Sequence, residues 1–285
     1  MNNPVSVKFL KKILLFLYRK LQRKSDFFNL SEDEAKGYCG NYFWFKVFRS
    51  QKYFSYENGL TVRGVRFDKI DNDPMWLAVS KIFPLTQVSE KEFAEVLYKN
   101  YAIEKKMSAA QILGLDSNYE SAKYPIWAMV YPWDGESINN RFERYPNALI
   151  KNRTTHGLLF DSNDYKHIVE KSYSFEAAKI QAKQYIQLLK KIQQYGFIED
   201  NSPPHILILK KGDRWKWLVG VEGNHRAYLN HLLKKPSLFS EVIDIVDISK
   251  ASKWKNVKNG LYTLDEAKYI FQLVFEGKVK TRGLI

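Results

Sequence analysis

The chain has 285 residues, with 45 Lys+Arg against 31 Asp+Glu, a formal net charge of +14 at pH 7. Hydrophobic residues make up 45% and aromatic residues 15%, enough apolar material for a core, so wholesale disorder is excluded. A single cysteine, Cys39, excludes an intramolecular disulfide framework and an all-thiolate metal site, and no run approaches 18 apolar residues as a spanning helix would require.

Half of the excess charge sits in residues 1–24, which carry Lys8, Lys11, Lys12, Arg19, Lys20, Arg23 and Lys24 and no acid. At 100° per residue Leu10, Ile13, Leu14, Leu17 and Leu21 share one face, and most of the basic residues lie opposite. The segment reads as a basic amphipathic helix. The leucine stripe suits packing on the protein's own core first; Leu10, Leu14 and Leu17, flanked by Lys11 and Lys12, also suit the surface of an anionic bilayer, and a partner protein or nucleic acid is the third reading. The apolar stretch is too short, and lacks a small-residue cleavage site, for a secretory signal. The expected location is cytoplasmic, with a peripheral place at the inner face of the membrane as one option; the composition also resembles a mitochondrial-type presequence.

The aromatic run Tyr42–Phe48 fits either a buried strand or one side of a helix. Asn58-Gly59 marks a turn, and Leu60, Val62, Val65 and Phe67 suggest a strand after it. Met75–Val79 reads as a further short strand. Ser89 and Glu92 have capping-box spacing, which predicts a helix over about 90–101; a second, over 107–113, stops at Gly114. Ile126–Val130 reads as a buried strand, and the stretch from Pro132-Trp133-Asp134-Gly135 to Pro146 as a polar, irregular loop.

From Ser174 the pattern turns helical. Phe175, Ala178, Tyr185, Leu188, Leu189 and Ile192 predict a long helix ending at Gly196. Strands follow at His205–Leu209 and Arg214–Val221, with Gly212-Asp213 turning between them. Glu222-Gly223-Asn224-His225-Arg226 then interrupts, a helix covers Ala227–Leu233, and Glu241–Ile248 gives a third strand. Thr263 and Glu266 cap the last helix, which ends before Gly277.

The strand–Gly-Asn-His-Arg–helix unit carries the sharpest chemical signal. Gly223 permits a tight turn and close approach of a ligand. The first N–H groups of the next helix favour an anion, Arg226 offers a bidentate grip on phosphate oxygens, and Asn224 and His225 add donors and acceptors. Glu222, one residue before the turn, is placed to orient a metal ion or a hydroxyl. A helix cap with a surface arginine would show the same residue types.

The order helix, Gly196, Pro203-Pro204, apolar strand with Ile206 and Ile208, second strand, then Gly223, His225 and Arg226 resembles the ParB-like/sulfiredoxin-like superfamily. The resemblance covers about 180–248, a quarter of the chain. It implies a small α/β domain that binds nucleotide phosphates through Gly223, Asn224, His225 and Arg226. Members include CTP-dependent DNA-partition proteins, sulfiredoxins and kinases of free serine. The redox members carry a cysteine in the loop, where Asn224 stands here, so sulfiredoxin activity is not expected. The partition proteins continue into a helix-turn-helix domain, whereas one strand and one clear helix follow Arg226, so specific DNA binding is not expected either. The kinase branch has an acid before its Gly-x-His motif, and Glu222 fills that place.

Further candidates are Asp134, Arg141, Arg144, Arg153 and His156, a polar set suited to holding phosphate or an anionic substrate, with Asp134 as a second Mg²⁺ ligand beside Glu222. The competing reading is a solvated loop whose arginines pair with neighbouring acids. His205 is a second-rank base candidate, and His231 reads as structural. Trp215 and Trp217 share a strand face and suit packing under a helix better than stacking on a base. The histidine spacing predicts no structural zinc.

The expectation is therefore an α+β protein: a basic amphipathic helix over 1–24, an aromatic-rich domain over 25–144, and a ParB/sulfiredoxin-like nucleotide-binding domain over 145–285. Its expected function is nucleotide-dependent phosphotransfer to a small or lipid-linked acceptor. The expected ligands are a nucleoside tri- or diphosphate and Mg²⁺, the catalytic candidates Glu222, His225 and His205. A nucleotide-responsive DNA-binding or nuclease-like protein and a non-enzymatic membrane-surface adaptor are the alternatives.

Overall fold

A computed structural model describes residues 51–72, 79–80, 89–115, 118–151, 165–196, 203–220 and 223–279. The basic segment with Leu10, Lys11, Lys12, Leu14 and Leu17, the aromatic run Tyr42–Phe48 and most of Met75–Val79 lie outside the described residues, as do Cys39, Arg153, His156 and Glu222.

The fold is mixed α and β, around a five-stranded sheet of β1 (Gln51–Ser55), β2 (Gly59–Leu60), β3 (His205–Lys211), β4 (Arg214–Val219) and β5 (Ser237–Asp247). Their order across the sheet is β1-β5-β3-β4-β2. The β1–β5 and β3–β4 pairs are antiparallel, and β3–β5 and β2–β4 are parallel. Alternation along β3 sends Ile206 and Ile208 to one face and Leu207 and Leu209 to the other, and both sets find apolar partners. A strand covered on both faces needs this near-continuous apolar run. The β3–β5 register shifts between Ile206, opposite Val242, and Leu207, opposite Asp244. The skipped residue, Ile243, is 41% exposed, and the bulge returns Ile245 to the first face.

The first face is covered by α1 (Glu90–Glu104), α5 (Phe175–Tyr195) and α6 (Asn224–Leu232). Phe93, Ala178, Ala182, Tyr185, Tyr228 and Trp217 are fully buried there. Trp217 Nε1 donates to Ser55 O at 2.7 Å, so both Trp215 and Trp217 belong to the core. His231 packs its ring against Tyr56 and Phe67, a structural role. The second face is covered by α2 (Ala109–Leu113), the 3-10 segment Ile248–Lys253, α7 (Lys255–Lys258) and α8 (Leu264–Glu276). Reciprocal capping boxes close the N-termini of α1 (Ser89 and Glu92), α2 (Ser108 and Gln111) and α8 (Thr263 and Glu266).

Four expectations are corrected. Ile126–Val130 is not a strand; Ile126–Ala128 is a 3-10 turn, because Pro125 and Ile126 carbonyls take the N–H groups of Ala128 and Met129. After Leu60 the chain turns back, with Thr61 N donating to Val65 O at 2.7 Å and Gly64 at positive φ, so no strand runs to Phe67. The polar stretch after Pro132 is largely helical: α3 spans Ile138–Lys151, and α4 (Tyr165–Ser172) follows. Pro146 lies inside α3 rather than at its end. The expected boundary between residues 144 and 145 therefore falls within a helix. Moreover, β1 and β2 from the first half are hydrogen-bonded into the sheet of the second half, so the described residues do not divide there.

Candidate functional site

Pro203-Pro204 leads into β3, and the backbone beside it is tied on both sides. Glu241 N donates to Pro204 O and Gly220 N to His205 O, each at 2.8 Å. The chain leaves β4 at Gly220 and re-enters regular structure at Gly223, the N-cap of α6, with φ 110°. A Cβ on Gly223 would lie 2.4 Å from Pro204 Cβ and 2.6 Å from Pro204 Cα. Glycine is therefore required twice, by a left-handed backbone and by the proline beneath it.

The helix begins at Asn224, not Ala227, so Asn224, His225 and Arg226 form its first turn instead of a loop before it. Its first backbone bond runs from Ala227 N to Gly223 O at 2.9 Å, and the N-cap, a glycine, has no side chain with which to cap the helix. The N–H groups of that turn point out of the helix end with the positive pole of its dipole. His225 Nε2 lies 3.2 Å from Gln181 Nε2, and the imidazole sits against Tyr185 with ring centroids 4.3 Å apart. With Gln181 donating, His225 Nε2 accepts and the ring proton sits on Nδ1. Gln181 and Tyr185 are one helical turn apart on α5, near the buried small residues Ala178 and Ala182. Neither was singled out from the sequence; their spacing was visible there, but not what they face. Asn224 Oδ1 and Gln181 Oε1 are buried with no hydrogen-bond partner among the described residues. An acceptor left so is costly unless a donor comes to it.

The other predicted residues are not brought to this turn. His205 opens β3 opposite Glu241, and alternation puts its side chain on the face of Leu207 and Leu209, away from α5. Asp134 belongs to the second face, in a turn that closes on itself. Its Oδ2 accepts from Tyr131 N at 2.7 Å and its own N donates to Tyr131 O. Asn256, buried on α7, donates Nδ2 to Tyr131 O at 2.9 Å and Glu136 O at 3.0 Å, while Lys255 Nζ donates to Gly135 O. Burial pushes the Asp134 carboxyl up to about 6, against the pull of the Tyr131 N–H and Arg141, with Glu136 adding to the rise. Arg141 and Arg144 both grip Glu136, at 3.2 and 2.9 Å, and Arg141 Nε also reaches Trp127 O. The Arg144 hydrogen bond first, then Arg141, holds the Glu136 carboxyl below its usual range.

Asp134 is thus withdrawn as a Mg²⁺ ligand: it is buried, occupied by a backbone donor and on the other side of the sheet. Arg141 and Arg144 pair with the neighbouring acid Glu136, as the competing reading had it, but from the helix α3 and not from a loop. Among the described residues no group of three His, Cys, Asp or Glu side chains is arranged to hold a metal ion, and no helix is long and apolar enough to cross a membrane. Comparison of the chain with protein-family models, with curated proteins and with solved structures finds no match.

Proposed function

We propose that the chain binds a nucleotide at the turn Gly223-Asn224-His225-Arg226 and uses it as phosphoryl donor to a small or lipid-linked acceptor. One observation carries the reading: a helix N-capped by a left-handed glycine, with a buried asparagine oxygen in its first turn that has no donor among the described residues. The N–H groups of Asn224, His225 and Arg226, with the Arg226 guanidinium, supply the phosphate contacts. Asn224 Oδ1 asks for an N–H or O–H, which a ribose hydroxyl or a base amino group provides and a phosphate does not. His225, steadied by Gln181 and Tyr185, is held at the same helix end.

The element order α5, Pro203-Pro204, β3, β4, Gly-Asn-His-Arg, α6, β5 supports the ParB-like/sulfiredoxin-like reading of this region. Glu222 is the acid next to the turn in sequence and the residue we assign to orient the acceptor. A basic, leucine-striped segment at 1–24 would bring the protein to an anionic membrane surface, where a lipid-linked acceptor is found.

Calorimetry with ATP, ADP, CTP and GTP, with and without Mg²⁺, tests the reading on the full chain and on Arg226→Ala. Saturable binding of one nucleotide, weakened about tenfold or more in the variant while its melting temperature is kept, is the expected result. No binding to the folded protein under any condition overturns it and leaves the membrane-surface adaptor, read by sedimentation with anionic vesicles.

A further inference from the structure

The second face of the sheet carries a lysine that the Gly223 turn does not use. Alternation along β4 puts Arg214, Lys216 and Leu218 on this face, with Leu218 in the core and Arg214 exposed at the far end. β2 pairs only with Trp217 and Leu218, so among the described residues no strand flanks Lys216 on that side of β4. Lys216 is half-buried, and its Nζ stands 5.5 Å from the centre of the buried Phe275 ring on α8. Its ammonium makes no hydrogen bond or ion pair among the described residues.

The charged groups that face Lys216 come from three elements. Arg66, bridged to the end of β2, is held by both carboxylate oxygens of Asp68. Arg214 stands 5.5 Å from the same Phe275 ring and reaches Glu276 at only 3.8 Å, while Glu276 also accepts from Gln272 Nε2 at 2.8 Å. With Lys216 itself, three cations meet two carboxylates, and Arg214 keeps most of its donors open. Burial first, then the Arg66 charge, holds the Lys216 amine below the usual lysine range; Glu276 and Asp68 pull the other way, and Arg214 adds to the lowering. A lysine that is desolvated and set beside other cations is an activated nucleophile. The guanidinium two residues away stays charged at any ordinary pH and grips anions in a fixed fork.

We propose that Lys216 is a nucleophile toward a small aldehyde that carries an anionic group, with Arg214 holding that group. The amine nitrogen bonds to the carbonyl carbon, and the carbonyl oxygen then leaves as water with both amine hydrogens, so an imine remains and nothing is oxidised or reduced. The proposal does not depend on nucleotide binding at Gly223, because α6 covers the other face of the sheet.

The test treats the full chain with pyridoxal phosphate and with pyridoxal, which share the aldehyde and differ in the phosphate. Borohydride fixes the imines, and peptide mass mapping locates them. At neutral pH Lys216 is expected to react with pyridoxal phosphate about tenfold faster than the other lysines do on average, and about tenfold faster than it reacts with pyridoxal. Its rate should also level off at a lower pH than theirs. Arg214→Gln is expected to bring the pyridoxal phosphate rate at Lys216 down to that of pyridoxal. Lys216→Arg keeps a cation against Phe275 and should remove the fast label alone, with the melting temperature kept. Label spread over the lysines according to exposure, equal rates with the two aldehydes, or a pH profile that coincides with that of the other lysines overturns the proposal. Unchanged labelling of Lys216 in Arg214→Gln overturns it as well.

Discussion

Two turns in this molecule draw on similar residues and end in opposite states. The Tyr131–Glu136 turn contains two carboxylates and a glycine, with two attendant arginines, and the protein spends these charges on itself. Asp134 takes the Tyr131 N–H, Asn256 takes two carbonyls, and Arg141 and Arg144 take Glu136. The Gly223–Arg226 turn has a glycine, an arginine and a histidine, yet its N-cap is a glycine with no side chain to cap the helix, and its asparagine oxygen has no donor among the described residues. Residue type does not separate a structural turn from a binding turn. What separates them is that the carboxylates of the first turn are paired from within, although Trp133 Nε1 and Asn256 Oδ1 there are, like Asn224 Oδ1, buried with no partner among the described residues.

The sharpest way to break the contrast is at Gly223. Gly223→Ala forces a side chain into Pro204 and a left-handed backbone, and should destabilise the protein by about 2–4 kcal/mol, read by urea unfolding. If the variant is as stable as the parent, Pro204 and the turn are not packed as described.

A smaller effect is expected at the closed turn. Asn256→Ala removes the bonds to Tyr131 O and Glu136 O and leaves buried carbonyls bare, a loss of about 1–3 kcal/mol, again in urea. Nucleotide affinity, measured below the unfolding transition, should stay the same, because this turn lies over the other face of the sheet. A parallel loss of affinity would join the two turns and erase the comparison.

The smallest effect is a pH dependence. The Asp134 carboxyl is raised from 3.8 to about 6 in the folded state, so the native protein holds this proton more tightly than the unfolded chain. Its contribution to stability is present below about pH 4 and is lost as pH rises through 6. Asp134→Asn keeps an acceptor for Tyr131 N–H without a charge to desolvate. Melting temperatures at pH 5, 6, 7 and 8 should show the parent losing a few degrees relative to the variant up to pH 7, then no further change. Parallel curves would mean that the carboxyl is not desolvated.

The sequence spoke most clearly where the signal is local. Ser89 with Glu92 and Thr263 with Glu266 announce helix starts because both halves of a capping box lie within one turn of chain. The β3 and β4 strands and α5 were legible from their periods, and the glycine turn from its residue types. Ile126–Val130 was not, since a short apolar run has no decisive period and Pro125 biased the backbone after it. In α3, Ile138, Phe142 and Tyr145 carry helical spacing, but the density of charge and Pro146 concealed it. The fate of Asp134 was out of reach for another reason: the Asn256 amide that binds this turn comes 122 residues later, from a four-residue helix. His225's neighbours Gln181 and Tyr185 were visible as a helix face without any sign of which helix would cover it.

The pairing of the sheet has a consequence for how the protein is made. β1 is made long before its hydrogen-bonding partner β5, the last strand among the described residues, and the Trp217 bond to Ser55 spans 162 residues. Phe54, which is fully buried once β1 is paired, must therefore wait uncovered until β5 is made. Closing such distant pairs is slow and leaves the nascent chain open to aggregation. A cell that makes this protein has to shield its N-terminal half until residues 237–247 emerge, so its yield should respond to chaperone supply and to the speed of elongation.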